Sequence, residues 1–119
     1  MFGVLQVIQG PDEGQSFQFG KHTVAVGRAA DLLGVTGIRL NDPRVSRLHC
    51  RLEWQGERVL VTDAGSAAGT WVNGERVTAP RELQPGDVLF IGETYLEFHW
   101  SHNDEKTTVA WQPPRSDQS

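Results

Sequence analysis

A single cysteine among 119 residues, Cys50, excludes an internal disulfide. Nothing at the N-terminus resembles a charged stretch leading into an apolar one, so a reducing, cytoplasmic setting is expected. No apolar run approaches the ~18 residues that a membrane helix needs, and no membrane partner is expected. Positive charge is scarce as well. Fifteen acidic residues against 11 basic give a formal net charge of −4, which excludes the broad basic footprint of a protein that tracks nucleic-acid phosphates. Apolar residues spaced as on a helix face are missing too, so no helix is predicted. The length suits one domain and is short for a two-domain enzyme.

What the chain does have is turns and short apolar alternations. With 13 Gly and 6 Pro, it breaks into stretches ending at Gly10-Pro11, Gly20 and Gly27, followed by GIRL (37–40), RLHCRLEW (47–54) and RVLVTD (58–63). In RLHCRLEW the alternate residues Leu48, Cys50, Leu52 and Trp54 make one apolar face, so Cys50 reads as core and not as a reactive thiol. TWVNGERV (70–77) carries the hairpin signal Asn73-Gly74. DVLFIGETYLEFHW (87–100) reads as two strands bent at Gly92-Glu93. About ten strands so spaced predict an all-β antiparallel sandwich over residues 1–100. From residue 101 to 119 the alternation is lost and charge, Pro and Ser rise, the pattern of a flexible C-terminal tail or the start of a linker.

Charge is unevenly placed. Residues 27–51 contain Arg28, Arg39, Arg44, Arg47 and Arg51 against only Asp31 and Asp42, which fits either a solvated loop face or an anion site. DPRVSRLHC (42–50) sets Ser46, His49 and two of these arginines together. A catalytic triad from Ser46, His49 and Asp63 or Asp42 is disfavoured. On a regular strand residues 46 and 49 leave opposite faces, and there is no GxSxG elbow. Gly20-Lys21-His22-Thr23 lacks the upstream glycine and helix of a phosphate-binding P-loop. His99, His102 and Asp104 sit at a strand end with no thiolate framework, a poor metal site. No enzyme activity, metal or cofactor is therefore expected.

VGR (26–28), DPRVSRLHC (42–50), VTDAGSAAGTWVNG (61–74) and LQPGDVLFIG (83–92) resemble, in order and spacing, the forkhead-associated (FHA) domain over about residues 3–100. The resemblance implies an eleven-stranded β-sandwich that binds phosphothreonine through loops at one end, as a protein-interaction module in Ser/Thr-kinase signalling. It implies that Arg28 and the Ser46 hydroxyl contact the phosphate, with Arg47 beside them. His49 matches the family's architectural histidine, which braces the loops; Gly27, Gly69, Thr70 and Asn73 read as structural. A phosphothreonine carries about −1.5 to −2 charge and three acceptor oxygens, which suits an Arg fork plus a hydroxyl. The glycines at 27, 65, 69, 74 and 92 read as tight turns, and Asp63 as the cap of the turn before Ser66.

The chain departs from the family pattern in its third block, where an Asn that grips the bound peptide is replaced by Ala68 and a position that can offer a hydroxyl is Ala67. Each lost donor is worth ~0.5–1.5 kcal/mol. The alternative is thus a degenerate FHA sandwich that binds a protein without phosphate. Gly37 stands where the family often has Asp or Asn, and the segment between Arg28 and Ile38 is slightly long. In the tail, NDEKTTVAW (103–111) resembles the phosphorylated Thr-Thr segments beside some bacterial FHA domains, making Thr107 and Thr108 candidate phosphosites. Thr107 lies eight residues beyond His99, a reach of at most ~27 Å, on a domain ~34 Å across. In FHA domains the chain ends lie opposite the ligand loops. The expectation is a monomer unless tail phosphorylation drives head-to-tail association.

Overall fold

The computed structural model describes residues 2–29 and 36–101. Among them are eleven strands: β1 (Phe2–Gln9), β2 (Ser16–Phe19), β3 (Val24–Gly27), β4 (Thr36–Arg39), β5 (Cys50–Gln55), β6 (Arg58–Asp63), β7 (Thr70–Val72), β8 (Glu75–Arg76), β9 (Arg81–Leu83), β10 (Val88–Ile91) and β11 (Thr94–Ser101). They form two sheets, ordered β2-β1-β11-β10-β7-β8 and β4-β3-β5-β6-β9.

The period-two pattern decides which face each strand buries. From the first sheet Leu5, Val7, Phe19, Val72, Leu89, Ile91, Leu96 and Phe98 turn into the core; from the second come Val24, Val26, Ile38, Cys50, Leu52, Val59, Val61 and Leu83. Phe17, Trp54 and Trp100 close the core from its edge, with Trp54 and Trp100 rings 5.4 Å apart. Burial holds the Cys50 thiol protonated, its pKa pushed up to about 12, in keeping with its expected place in the core.

Two local expectations are corrected. β3 and β4 run parallel, so the sandwich is not wholly antiparallel. β5 begins at Cys50 and not at residue 47, which places Arg47, Leu48 and His49 in the preceding loop. Gly92-Glu93 is a two-residue hairpin turn, with Ile91 paired to Thr94, which gives the two strands expected on either side of it. β9, which the pattern of alternation missed, is three residues long and follows Pro80.

The pairing also fixes the two ends of the sandwich. β1 and β11 lie side by side with Phe2 opposite Ser101 and Gln9 opposite Tyr95. The β10–β11 turn and the β1–β2 loop therefore share one end, and Phe2 and Ser101 the other. Asp12, Asp42, His49, Thr70 and Thr94 are buried polar residues, and all five sit in or beside the loops of the first end. Thr107, Thr108, His102 and Asp104 lie outside the described residues.

Candidate functional site

The segment 40–49 between β4 and β5 is held in place by hydrogen bonds that its own residues supply. Asp42, fully buried, accepts from the Arg44 N–H at 2.9 Å. Its other oxygen accepts from the Glu93 N–H and the Thr94 hydroxyl, both at 2.7 Å. The loop is thereby tied to the β10–β11 turn. At that turn Gly92 has φ +59 and no room for a side chain, since a Cβ there would lie 2.8 Å from Val45 and 2.9 Å from Asp42 Oδ2. Asn41 is tied in turn to the β1–β2 loop, donating from its backbone and side-chain nitrogens to Asp12, each at 2.7 Å.

His49 joins the same loop to the one between β6 and β7. The Ser46 N–H donates to His49 Nδ1 at 3.0 Å, so Nδ1 is unprotonated and the ring proton sits on Nε2. Nε2 then donates to the Gly69 carbonyl at 2.8 Å. Both ring nitrogens are committed and the ring is fully buried. The strand-based argument against a Ser46–His49 pair does not apply, because the segment is a loop; what the geometry shows is that Nδ1 takes the backbone N–H and not the hydroxyl.

Asp63 organises the β6–β7 loop. It accepts from the Gly65 and Ser66 N–H groups, each at 3.0 Å, and from the Ser66 and Thr70 hydroxyls. Ser66 Oγ passes the connection on by accepting from the Gly69 N–H at 2.9 Å. Burial pushes the Asp63 carboxyl up, but the four donors outweigh it and hold its pKa below the usual carboxylate range. Asp42 shows the same balance, desolvation opposed by Thr94, Arg44 and Glu93.

On this frame stand the three residues expected to meet phosphate. The Arg28 side chain is exposed; its Nε donates to the Val45 carbonyl, which aims the guanidinium along the 40–49 loop. Ser46 Oγ accepts from the Ala67 N–H at 3.1 Å, leaving its O–H proton to be donated outward. Arg47 is exposed beside them, and its carbonyl accepts from the Ala29 N–H at 3.0 Å. Gly27 makes the close approach possible: a Cβ there would lie 2.2 Å from the Arg47 carbonyl oxygen. Its need for glycine is thus one of space, not of a turn, since it ends β3 in strand conformation.

The other arginines go elsewhere. Arg44 pairs with Glu93 at 2.9 Å, and Arg39 and Arg51 stand on β4 and β5. Asn73 turns the β7–β8 hairpin at φ +50, and its amide bridges Asp87 and the Val88 N–H, each at 2.9 Å. It braces a hairpin and not the loop cluster. Ala67 and Ala68 are exposed. Sequence reasoning missed the frame formed by Asp12, Asn41, Asp42 and Thr94, whose hydrogen bonds join residues 29 to 52 positions apart and leave no local signal.

Comparison with known proteins gives the frame a family. Residues 6–102 match the family model described as "Inner membrane component of T3SS, cytoplasmic domain". The FhaA FHA domain, solved in complex with the intracellular domain of Rv3910, superposes with TM-score 0.70 at 31% identity, over 82% of this chain and 99% of that one. The chain belongs to the forkhead-associated family. A second FHA structure, from a structural and functional analysis of phosphothreonine-dependent FHA domain interactions, gives TM-score 0.72 at 29% identity, over 84% of this chain and 97% of that one. The glycogen accumulation regulator GarA of Mycolicibacterium smegmatis is 37% identical over 95 residues, 80% of this chain and 57% of GarA. This FHA chain thus spans under two-thirds of the length of that relative.

Proposed function

We propose that this FHA domain is a phosphothreonine-dependent protein-interaction module serving Ser/Thr-kinase signalling in the cytoplasm, with no catalytic activity and no cofactor. Arg28 and Ser46 bind the phosphate, and Arg47 contacts phosphate or peptide beside them. The observation that carries this reading is the convergence of Arg28, just after β3, and Ser46, on the braced 40–49 loop, where the Arg28 N–H donates to the Ser46 carbonyl at 3.0 Å. The Arg28 Nε and the Ser46 Oγ lone pair are each used to fix position, while the outward donors have no carboxylate partner among the described residues. An anion with three acceptor oxygens matches such a pair. The likeness to FHA domains studied for phosphothreonine-dependent interaction supports it. His49, buried with both nitrogens engaged, supports a bracing role and is not free to act as a general base on the Ser46 hydroxyl.

The exposed Ala67 and Ala68 favour a second reading, a sandwich that binds its protein partner without phosphate. One experiment separates the two. Phosphothreonine peptides and unphosphorylated counterparts are titrated into the wild type and Arg28→Ala, read by fluorescence anisotropy at moderate salt. The first reading expects binding that requires phosphate and weakens by about 2–5 kcal/mol in Arg28→Ala. Binding indifferent to both phosphate and Arg28 establishes the second. Thr107 and Thr108 are proposed as phosphosites through which one molecule engages the loops of another.

A further inference from the structure

The Arg76 guanidinium lies over the β6–β7 loop, where no expectation had placed a ligand contact. Arg76 sits opposite Trp71 across the β7–β8 pair, its Cζ 5.7 Å from the Trp71 ring centre. It covers Gly69 (φ +88), where a Cβ would lie 3.3 Å from both Arg76 Cζ and Nε. Among the described residues no acid forms an ion pair with it. Neighbouring Glu75 is paired with Arg81 at 2.8 Å. Asp63 lines the same hollow as Arg76 but already accepts from Gly65, Ser66 and Thr70. Between Arg76 and Ser46 lie the exposed Ala67 and Ala68, which offer no side-chain donor.

We propose that Arg76 is a specificity-determining residue that reads an acidic side chain in the bound phosphopeptide, an inference that rests on the phosphothreonine reading above. A planar guanidinium held over an indole ring at cation–π distance is positioned to meet a carboxylate. The spacing limits where that acid stands. Ser46 Oγ is 3.1 Å from the Ala67 N, two further residues of chain reach at most ~7 Å, and Arg76 lies against Gly69. An extended peptide advances about 3.3 Å per residue, so the acid falls within about four positions of the phosphothreonine.

The test compares phosphothreonine peptides carrying a single Glu at each of the four positions on either side with an otherwise identical Ala peptide, by anisotropy, against wild type, Arg76→Gln and Arg76→Glu. Arg76 is exposed, so these variants are expected to melt with the wild type. In the wild type, Glu at one of these positions should tighten binding about three- to tenfold, the range for an exposed but well-oriented ion pair. Arg76→Gln should bind the Glu and Ala peptides alike, and Arg76→Glu should reverse the preference. Phosphate-dependent binding with no Glu preference in the wild type, or a preference that persists in Arg76→Gln, overturns this inference alone. Equal binding of phosphorylated and unphosphorylated peptides overturns the proposed function and this inference with it.

Discussion

Ser46 and His49, three residues apart, are tied by one hydrogen bond yet carry separable tasks. Ser46→Ala removes an exposed acceptor of the Ala67 N–H and, on the proposed reading, a donor to phosphate. Phosphopeptide affinity should fall by about 1.5–3 kcal/mol with stability changed by less than ~1 kcal/mol. His49→Ala strips the Ser46 N–H and the Gly69 carbonyl of their partner and opens a cavity, a loss of about 3 kcal/mol. For a domain of this size that corresponds to a melting temperature lower by on the order of 15 °C. Calorimetry on the two variants distinguishes them, and equal melting temperatures for wild type and His49→Ala contradict the bracing role. Gly27→Ala drives a methyl into the Arg47 carbonyl and should cost about 1–3 kcal/mol, a loss visible in urea unfolding.

At the scale of strands and loops, Asp42 and Asp63 are the pins, and their ionisation sets an acid limit. Both pKa values are lower in the folded chain than the ordinary 3.8, so the unfolded state binds protons first as pH falls. Their contribution is fully present above about pH 4 to 5 and is lost on further acidification through the folded values. Urea unfolding from pH 6 down to 2 should show stability falling below about pH 4, with a shallower fall in Asp42→Asn and Asp63→Asn. A wild-type curve flat across that range contradicts the pinning. This frame was only half legible in the sequence. Asp63 could be assigned because its partners Gly65, Ser66 and Thr70 are local, and the strands could be placed because side-chain alternation is local too. Asp42 bonds to residues 51 and 52 positions away, and Asp12 to a residue 29 away, distances that composition and periodicity do not encode. The three-residue β9 was too short to show an alternation, and the parallel β3–β4 pairing depends on a crossover that no dipeptide announces.

Across the whole molecule, the direction of β11 separates the loop cluster from the chain that follows. β11 covers about 23 Å from Thr94 to Ser101 at ~3.3 Å per residue, leading away from the loops. Thr107 is six residues beyond Ser101, a reach of at most ~22 Å, on a body whose longest extent is 41 Å. We propose that a phosphate on Thr107 engages the Ser46 loop of a neighbour and not that of its own molecule. Phosphorylated protein should show concentration-dependent growth in mass by light scattering at high micromolar concentration, abolished by Arg28→Ala; a strictly monomeric phosphoprotein contradicts head-to-tail association. The pairing of β1 with β11 has a consequence in time as well. β1, which precedes the other ten described strands in the chain, finds its main neighbour only when residues 94–101 have been added. Until they leave the ribosome, β1 has an unfilled edge, and Asp42 has neither Glu93 nor Thr94 to hold it. The loop frame thus draws on strands from both ends of the described fold, and a chain cut short of Glu93 lacks the two donors that tie Asp42 to the β10–β11 turn.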